Sequence, residues 1–336
     1  MTYKPTVATL AFLAGGVSLL HAQPAALQEL QNDQLIRQFQ APPPGLAPGT
    51  NAPALYPDEN LDVGPQHILG LKPRHDYFNA LVDSQVYYSD NANFANKPST
   101  VSSWVFVNTV QAGFTPKPIE LGSGKASVDI GLASQWYNYD NHNSTLDFNA
   151  ESVFASGKYA WGKWELSADL GLNRLVNQNN YDEIYREFLP ILGIQRVLPI
   201  NDRMFFTLGE LVDYHLTKAF VYSSPLQPVP PLPSHSDGNN RFDDLIGASF
   251  TWQPCSHLLL QPFYRFQYSY YQYNTAGNSY RNDLIQSFGI ATAYYFNANV
   301  SVRAFYNYNR KQSDDARTPH YLEMNGGLGA ALDLKF

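Results

Sequence analysis

The chain has 336 residues, enough for two average soluble domains or one transmembrane barrel, and its 14% aromatic content is high, with 23 Tyr and 20 Phe. Its 22 basic and 29 acidic side chains give a net charge of −7, which argues against a nucleic-acid partner. No stretch of about 18 apolar residues follows the amino-terminus, which excludes a bundle of membrane helices, and a single cysteine, Cys255, excludes an internal disulfide or a multi-thiolate metal site.

Residues 1–22 read as a secretory signal peptide. Lys4 supplies the positive start, 7–20 the apolar run, and Leu20-His21-Ala22 a cleavage site before Gln23. No cysteine follows that site, so a lipid anchor there is not expected. Residues 23–75 differ from the rest. The stretch 25–40 fits a short amphipathic helix, with Leu27, Leu30, Leu35, Ile36 and Phe39 apolar. The stretch 41–57 is rich in proline, which holds neither a helix nor a central strand. This region reads as a periplasmic arm or linker, with a small plug inside a barrel as the alternative.

From residue 76 onward, alternating segments are separated by turn chemistry. The first (77–89) sets Phe78, Ala80, Val82, Val86 and Tyr88 on one face. The second (102–114) does the same with Trp104, Phe106, Val110, Ala112 and Phe114. The third (126–139) opposes Val128, Ile130, Leu132 and Trp136 to Asp129, Gly131, Gln135 and Tyr137. The fourth (148–161) alternates weakly. The fifth (164–175) opposes Trp164, Leu166, Ala168, Leu170 and Leu172 to Glu165, Ser167, Asp169, Gly171 and Asn173. The sixth (184–198) carries Pro190 and is the least regular. The later segments are cleaner: Met204 to Leu216, Phe242 to Trp252, 258–270, 284–296 and 300–308. In the first of these, Glu210 falls on the apolar face, so a bulge or register error is expected there.

The last segment opposes Leu328, Ala330, Leu332, Leu334 and Phe336 to Gly329, Ala331, Asp333 and Lys335, which makes twelve in all. Tight connections (161–163, 199–202, 253–256, 297–299) alternate with longer polar ones (90–101, 140–147, 177–182, 223–240, 274–279, 311–319); 115–125 is an over-long exception. Trp161, Trp164 and Trp252 fall beside tight connections, and Trp104 and Trp136 beside long ones, as two interfacial belts require.

With Leu332-x-Leu334-x-Phe336 at its end, the chain resembles bacterial outer-membrane β-barrels of the porin-like kind over roughly residues 77–336. The resemblance implies an all-β, antiparallel, up-and-down transmembrane barrel of about 12 strands in the outer membrane of a Gram-negative-type bacterium. It implies that Leu332, Leu334 and Phe336 form the signal read by the barrel-assembly machinery. It also implies outer-membrane lipid and lipopolysaccharide as surroundings, and leaves a homo-oligomer open.

The expected inward faces carry Asp129, Glu151, Glu165, Asp169, Glu187, Asp213, His215, Asp243, Gln261, Arg265, Gln267, Asp283, Arg303, Asn307, Glu323, Asp333 and Lys335. Of these, Asp129, Asp169, Asp213, His215, Asp243, Arg265, Arg303 and Glu323 are the pore-lining candidates. Such charges either select solutes in a water-filled pore or knit a closed polar core. The leading expectation is a passive channel for small hydrophilic solutes, followed by a non-conducting structural or surface-interaction barrel. An outer-membrane hydrolase comes third. Twelve-stranded outer-membrane phospholipases use a pattern like His-x-Ser-Asn-Gly. His142-Asn143-Ser144 and His235-Ser236-Asp237-Gly238 match it only partly and lie in loops, so no catalytic residue is expected. No phosphate-binding glycine loop and no metal-ligand spacing is present, so no cofactor or metal is expected.

Overall fold

The structure, a computed structural model, describes residues 76–95, 97–141, 146–219, 237–273, 280–316, 318 and 320–336. The expected signal peptide and arm lie outside the described residues.

Thirteen strands follow in order: β1 (Phe78–Ser89), β2 (Ser103–Phe114), β3 (Ile119–Leu121), β4 (Gly124–Tyr139), β5 (Phe148–Trp161), β6 (Trp164–Asn177), β7 (Glu183–Asn201), β8 (Met204–Ala219), β9 (Arg241–Cys255), β10 (Leu258–Tyr271), β11 (Arg281–Tyr295), β12 (Val300–Ser313) and β13 (Tyr321–Lys335). Twelve of them close a barrel of antiparallel neighbours. β13 pairs with β1 from Asn79↔Lys335 to Ser89↔Asn325, and β2 pairs directly with β4. The thirteenth, β3, is a small hairpin partner of the start of β4. It accounts for the over-long connection after β2, which spends its residues on an extra turn at Gly122 with φ near +60°. The same left-handed conformation at Gly162 makes the β5–β6 connection the tightest kind of hairpin.

Each of the twelve barrel strands is paired on both sides, which is what a segment crossing hydrocarbon needs. The outward side chains are apolar and exposed: Val82, Phe106, Ile130, Leu132, Leu170, Leu192, Ile246, Ile290 and Leu328 form a belt around the wall. Water does not tolerate a continuous belt of that size, whereas lipid does. All five tryptophans sit on strand positions of outward parity. Trp161, Trp164 and Trp252 lie at the short-turn end, and Trp104 and Trp136 at the loop end. Both ends of the wall meet at the turn end, where the Tyr77 amide donates to the Phe336 carbonyl at 2.8 Å and the Phe336 amide to the Phe78 carbonyl at 2.9 Å. Cys255 is exposed at the same end, as the last residue of β9.

The expected irregularity at Glu210 is absent. β8 pairs without interruption from Met204↔Trp252 to His215↔Arg241, and Glu210 stands opposite Ile194 and Ile246 on the outer wall. The irregularity of β7 and β8 lies instead at Pro199/Asn201, and the ladder also skips Leu189 and Pro190, where proline has no amide to give. A carboxylate among lipid-facing apolar side chains opposes insertion. Glu210→Leu should therefore stabilise the refolded protein by about 1–2 kcal/mol in a urea titration in vesicles, less than a basic residue would cost there. An unchanged or lower midpoint would mean that the carboxylate has a partner in the membrane.

Candidate functional site

Alternation turns the odd positions of β1, β2, β4, β6–β13 and the even positions of β5 toward the lumen. Each of the eight pore-lining candidates points inward, and the lumen they face has two unlike halves.

The turn-side half holds a cavity of about 800 Å³, lined among others by Asp129, Lys158, Glu165, Asp169, Asp333 and Lys335. Its charges are paired loosely. Thr115 Oγ1 donates to Asp129 at 2.7 Å, Lys158 lies 3.7 Å from Glu165, and Lys335 lies 3.6 Å from Asp333.

The loop-side half is densely packed. Each of the twelve barrel strands sends at least one side chain inward there with no more than 4% of its surface exposed: Tyr87, Val105, Tyr137, Phe148, Leu175, Tyr185, His215, Arg241, Ser269, Asp283, Asn309 and Glu323. From β1 through β7 the packing is apolar. Tyr137 stacks on Phe148 with ring centroids 4.4 Å apart, and Val105, Val107, Ala150, Leu175 and Tyr185 join them. From β8 through β13 the packing is ionic. Lys311 Nζ reaches Asp283 at 2.8 Å, and Glu323 accepts from Asn309 Nδ2 at 2.9 Å and Ser89 Oγ at 3.1 Å. Nearer the turn end, Arg303 is bound to Asp83 across the β12–β13–β1 seam. The Arg265 guanidinium lies 4.4 Å from the Phe263 ring centroid.

Within the loop-side half, where β7, β8 and β9 adjoin, sits a dense ionic cluster. His215 Nδ1 meets Glu187 Oε2 at 2.8 Å, and Nε2 lies 2.9 Å from Asp213 Oδ1 and 3.2 Å from Asp243 Oδ2. Arg241 Nε donates to the same Asp243 oxygen at 2.8 Å. Glu187 is fixed by Asn173 Nδ2 and the Tyr185 hydroxyl, each at 2.7 Å. Tyr271 lies between two guanidinium groups, with Arg281 at 3.6 Å and Arg241 at 5.4 Å from its ring centroid. Buried ions persist only when paired in this way.

One expected inward residue is corrected. Glu151 faces outward on β5 and meets Arg174 Nη1 at 3.1 Å, and Arg174 also reaches Glu183 at 3.0 Å. This ion network lies beyond the apolar belt at the loop end. The described ends of the connection between β4 and β5 carry two acids of opposite behaviour. The Ser103 hydroxyl, with the Trp104 amide, holds the Asp140 carboxyl below the usual carboxylate range, while burial pushes Asp147 up. Leu332, Leu334 and Phe336 lie along the outer wall at the end of the chain. His142, Ser144, His235 and Ser236 lie outside the described residues.

The sequence reading missed the apolar plug and the meeting of Glu187, Asp213, His215 and Asp243. The signal for the first was present. Near the loop end alternation gives way to runs such as Val105-Phe106-Val107, Trp136-Tyr137 and Tyr87-Tyr88, apolar on both faces.

No protein-family profile and no curated protein matches the chain. Among solved structures, it is similar to an outer membrane channel from Pseudomonas putida F1 (11% identity, 77% of this chain and 96% of that one, TM-score 0.48). It is also similar to the transport unit of the autotransporter AIDA-I from Escherichia coli (10% identity, 79% and 93%, TM-score 0.45). A third is the outer membrane channel DcaP of Acinetobacter baumannii (12% identity, 76% and 96%, TM-score 0.40). Channels and autotransporter barrels stand side by side in this set, so the likeness carries nothing about function.

Proposed function

We propose that this outer-membrane β-barrel is closed to passive diffusion as folded, and that it serves as a rigid scaffold presenting its loops rather than as an open channel for small hydrophilic solutes. The observation that carries this reading is the ring of twelve inward side chains with almost no exposed surface near the loop end. A water-filled pore wets the residues that line it. A twelve-stranded barrel is also narrow enough for side chains to fill. The turn-side cavity supports a second reading, a blind vestibule that takes up a small polar solute from that side.

The test is single-channel recording of the refolded protein in a planar bilayer. The expected record is flat across the physiological voltage range for protein whose folding is verified by its heat-modifiable gel mobility. Discrete steps from the wild type, altered in size by Asp129→Asn or Arg303→Ala, would overturn the closed-barrel reading in favour of the passive channel.

A further inference from the structure

We propose that Asp213, His215 and Asp243 form a divalent transition-metal site in the loop-side lumen, with Glu187 orienting the imidazole. The inference does not depend on whether the barrel conducts.

The backbone assembles the donor set. Asp213 and His215 are two apart on β8, so they share the inward face, and the ladder puts Asp243 of β9 directly opposite Asp213. One ligand atom from each lies within 4.8 Å of the others. The two contacts of His215 Nε2, 2.9 and 3.2 Å, approach the separation of about 3.4 Å between ligands held tetrahedrally around Zn²⁺ at its usual bond lengths. A shift of a few tenths of an ångström would admit the ion.

Three further features point to a cation. First, Asp213 Oδ1 is buried with His215 Nε2 as its one close polar neighbour, and Asp243 Oδ1 is buried without a hydrogen bond. Buried carboxylates short of donors are costly, and an ion held by the two aspartates lowers the cost. Second, Glu187 takes the Nδ1 side of His215 at 2.8 Å, which leaves Nε2 facing the two aspartates. Metal-bound imidazoles are held in this way by a carboxylate on their other nitrogen. Third, the charges balance. With a metal in place of the proton on Nε2 the imidazole is neutral, and three carboxylates with one guanidinium then leave two negative charges, which one divalent ion cancels.

Arg241 is compatible with this arrangement. Its Nη2 is 3.0 Å from Nε2 and 3.3 Å from Nδ1. A group that close to both ring nitrogens cannot lie in the ring plane without overlapping a ring carbon. The guanidinium nitrogen therefore lies over the face of the imidazole, which leaves the in-plane Nδ1–H to donate to Glu187 and the in-plane side of Nε2 to the metal. One imidazole with two carboxylates favours an ion such as Zn²⁺ over Ca²⁺ or Mg²⁺, which prefer all-oxygen shells.

The experiment uses the full-length refolded barrel, stripped with EDTA and titrated with ZnCl₂ by calorimetry, with Co²⁺ as an optical probe. The expected result is one Zn²⁺ per barrel, a raised urea midpoint, and a Co²⁺ visible spectrum of low coordination number. His215→Gln and Asp243→Asn should abolish the Co²⁺ bands. Glu187→Gln should weaken binding about 10- to 100-fold. His257→Ala, which alters an exposed turn, should change nothing. Absence of binding by the folded wild type would overturn the proposal and leave an imidazolium salt-bridge cluster. Binding that survives both ligand substitutions would overturn it as well. The wild-type titration decides the matter even if a variant fails to fold.

Discussion

Arg241→Met should destabilise the EDTA-treated barrel by about 3–5 kcal/mol, because it deletes one ion from a buried group and strands the others. Arg241 is almost wholly buried, donates to Asp243 Oδ2 at 2.8 Å, and packs on the rings of His215 and Tyr271. Methionine matches the length of the arginine stem and fills much of its volume, so the loss is chiefly one of charge compensation for Glu187, Asp213 and Asp243. Equilibrium unfolding by urea in vesicles measures it. Arg241→Met combined with Asp243→Asn should recover part of the loss, since the neighbouring carboxylate then no longer needs a counter-ion. A loss below about 1 kcal/mol would mean that water reaches these carboxylates, and would count against the sealed loop-side lumen as well.

The second large effect belongs to the closing seam. Gly327 of β13 stands opposite Tyr87 of β1, whose ring packs edge-on to Phe305 at 5.8 Å. A β-carbon at Gly327 would collide with the Tyr87 Cβ and with the Val86 carbonyl, which is main chain and cannot swing aside. Overpacking of this kind costs about 1–3 kcal/mol even where side chains can yield. Gly327→Leu should exceed that range or prevent β13 from joining β1, and the folded, heat-modifiable band should shrink accordingly. The neighbouring Gly326 is the internal control. Its β-carbon would come no closer than 3.4 Å, to the Tyr306 ring on the outer wall, so Gly326→Ala should fold normally. If the two variants fold equally well, the seam is not as tightly closed as the β1–β13 ladder implies.

The outer wall was legible from the amino acids because lipid imposes one rule on every second residue. Ile130 and Leu132, Leu170 and Leu172, and Ile290 and Tyr294 all lie where a two-residue period puts them. The rule fails where the wall leaves the hydrocarbon, which is why Glu151 was assigned to the wrong face. On β5 the outward Asn149, Glu151 and Gly157 and the inward Ser152 and Ser156 offer no apolar contrast. The small hairpin at β3 escaped notice because a three-residue strand carries too little pattern. The lumen was harder still. That Asp213 and His215 share a face can be read from one strand, but their meeting with Glu187 and Asp243 depends on the register of β7, β8 and β9, which no single strand encodes.

The two halves of the loop-side plug also answer to different thermodynamic variables. The aromatic and aliphatic packing between β1 and β7 loses strength on cooling, as apolar burial does, and is indifferent to acid. The ion pairs between β8 and β13 depend on ionised carboxylates, so acid weakens them while cooling does not. Cold and acid therefore act on opposite sides of the cylinder.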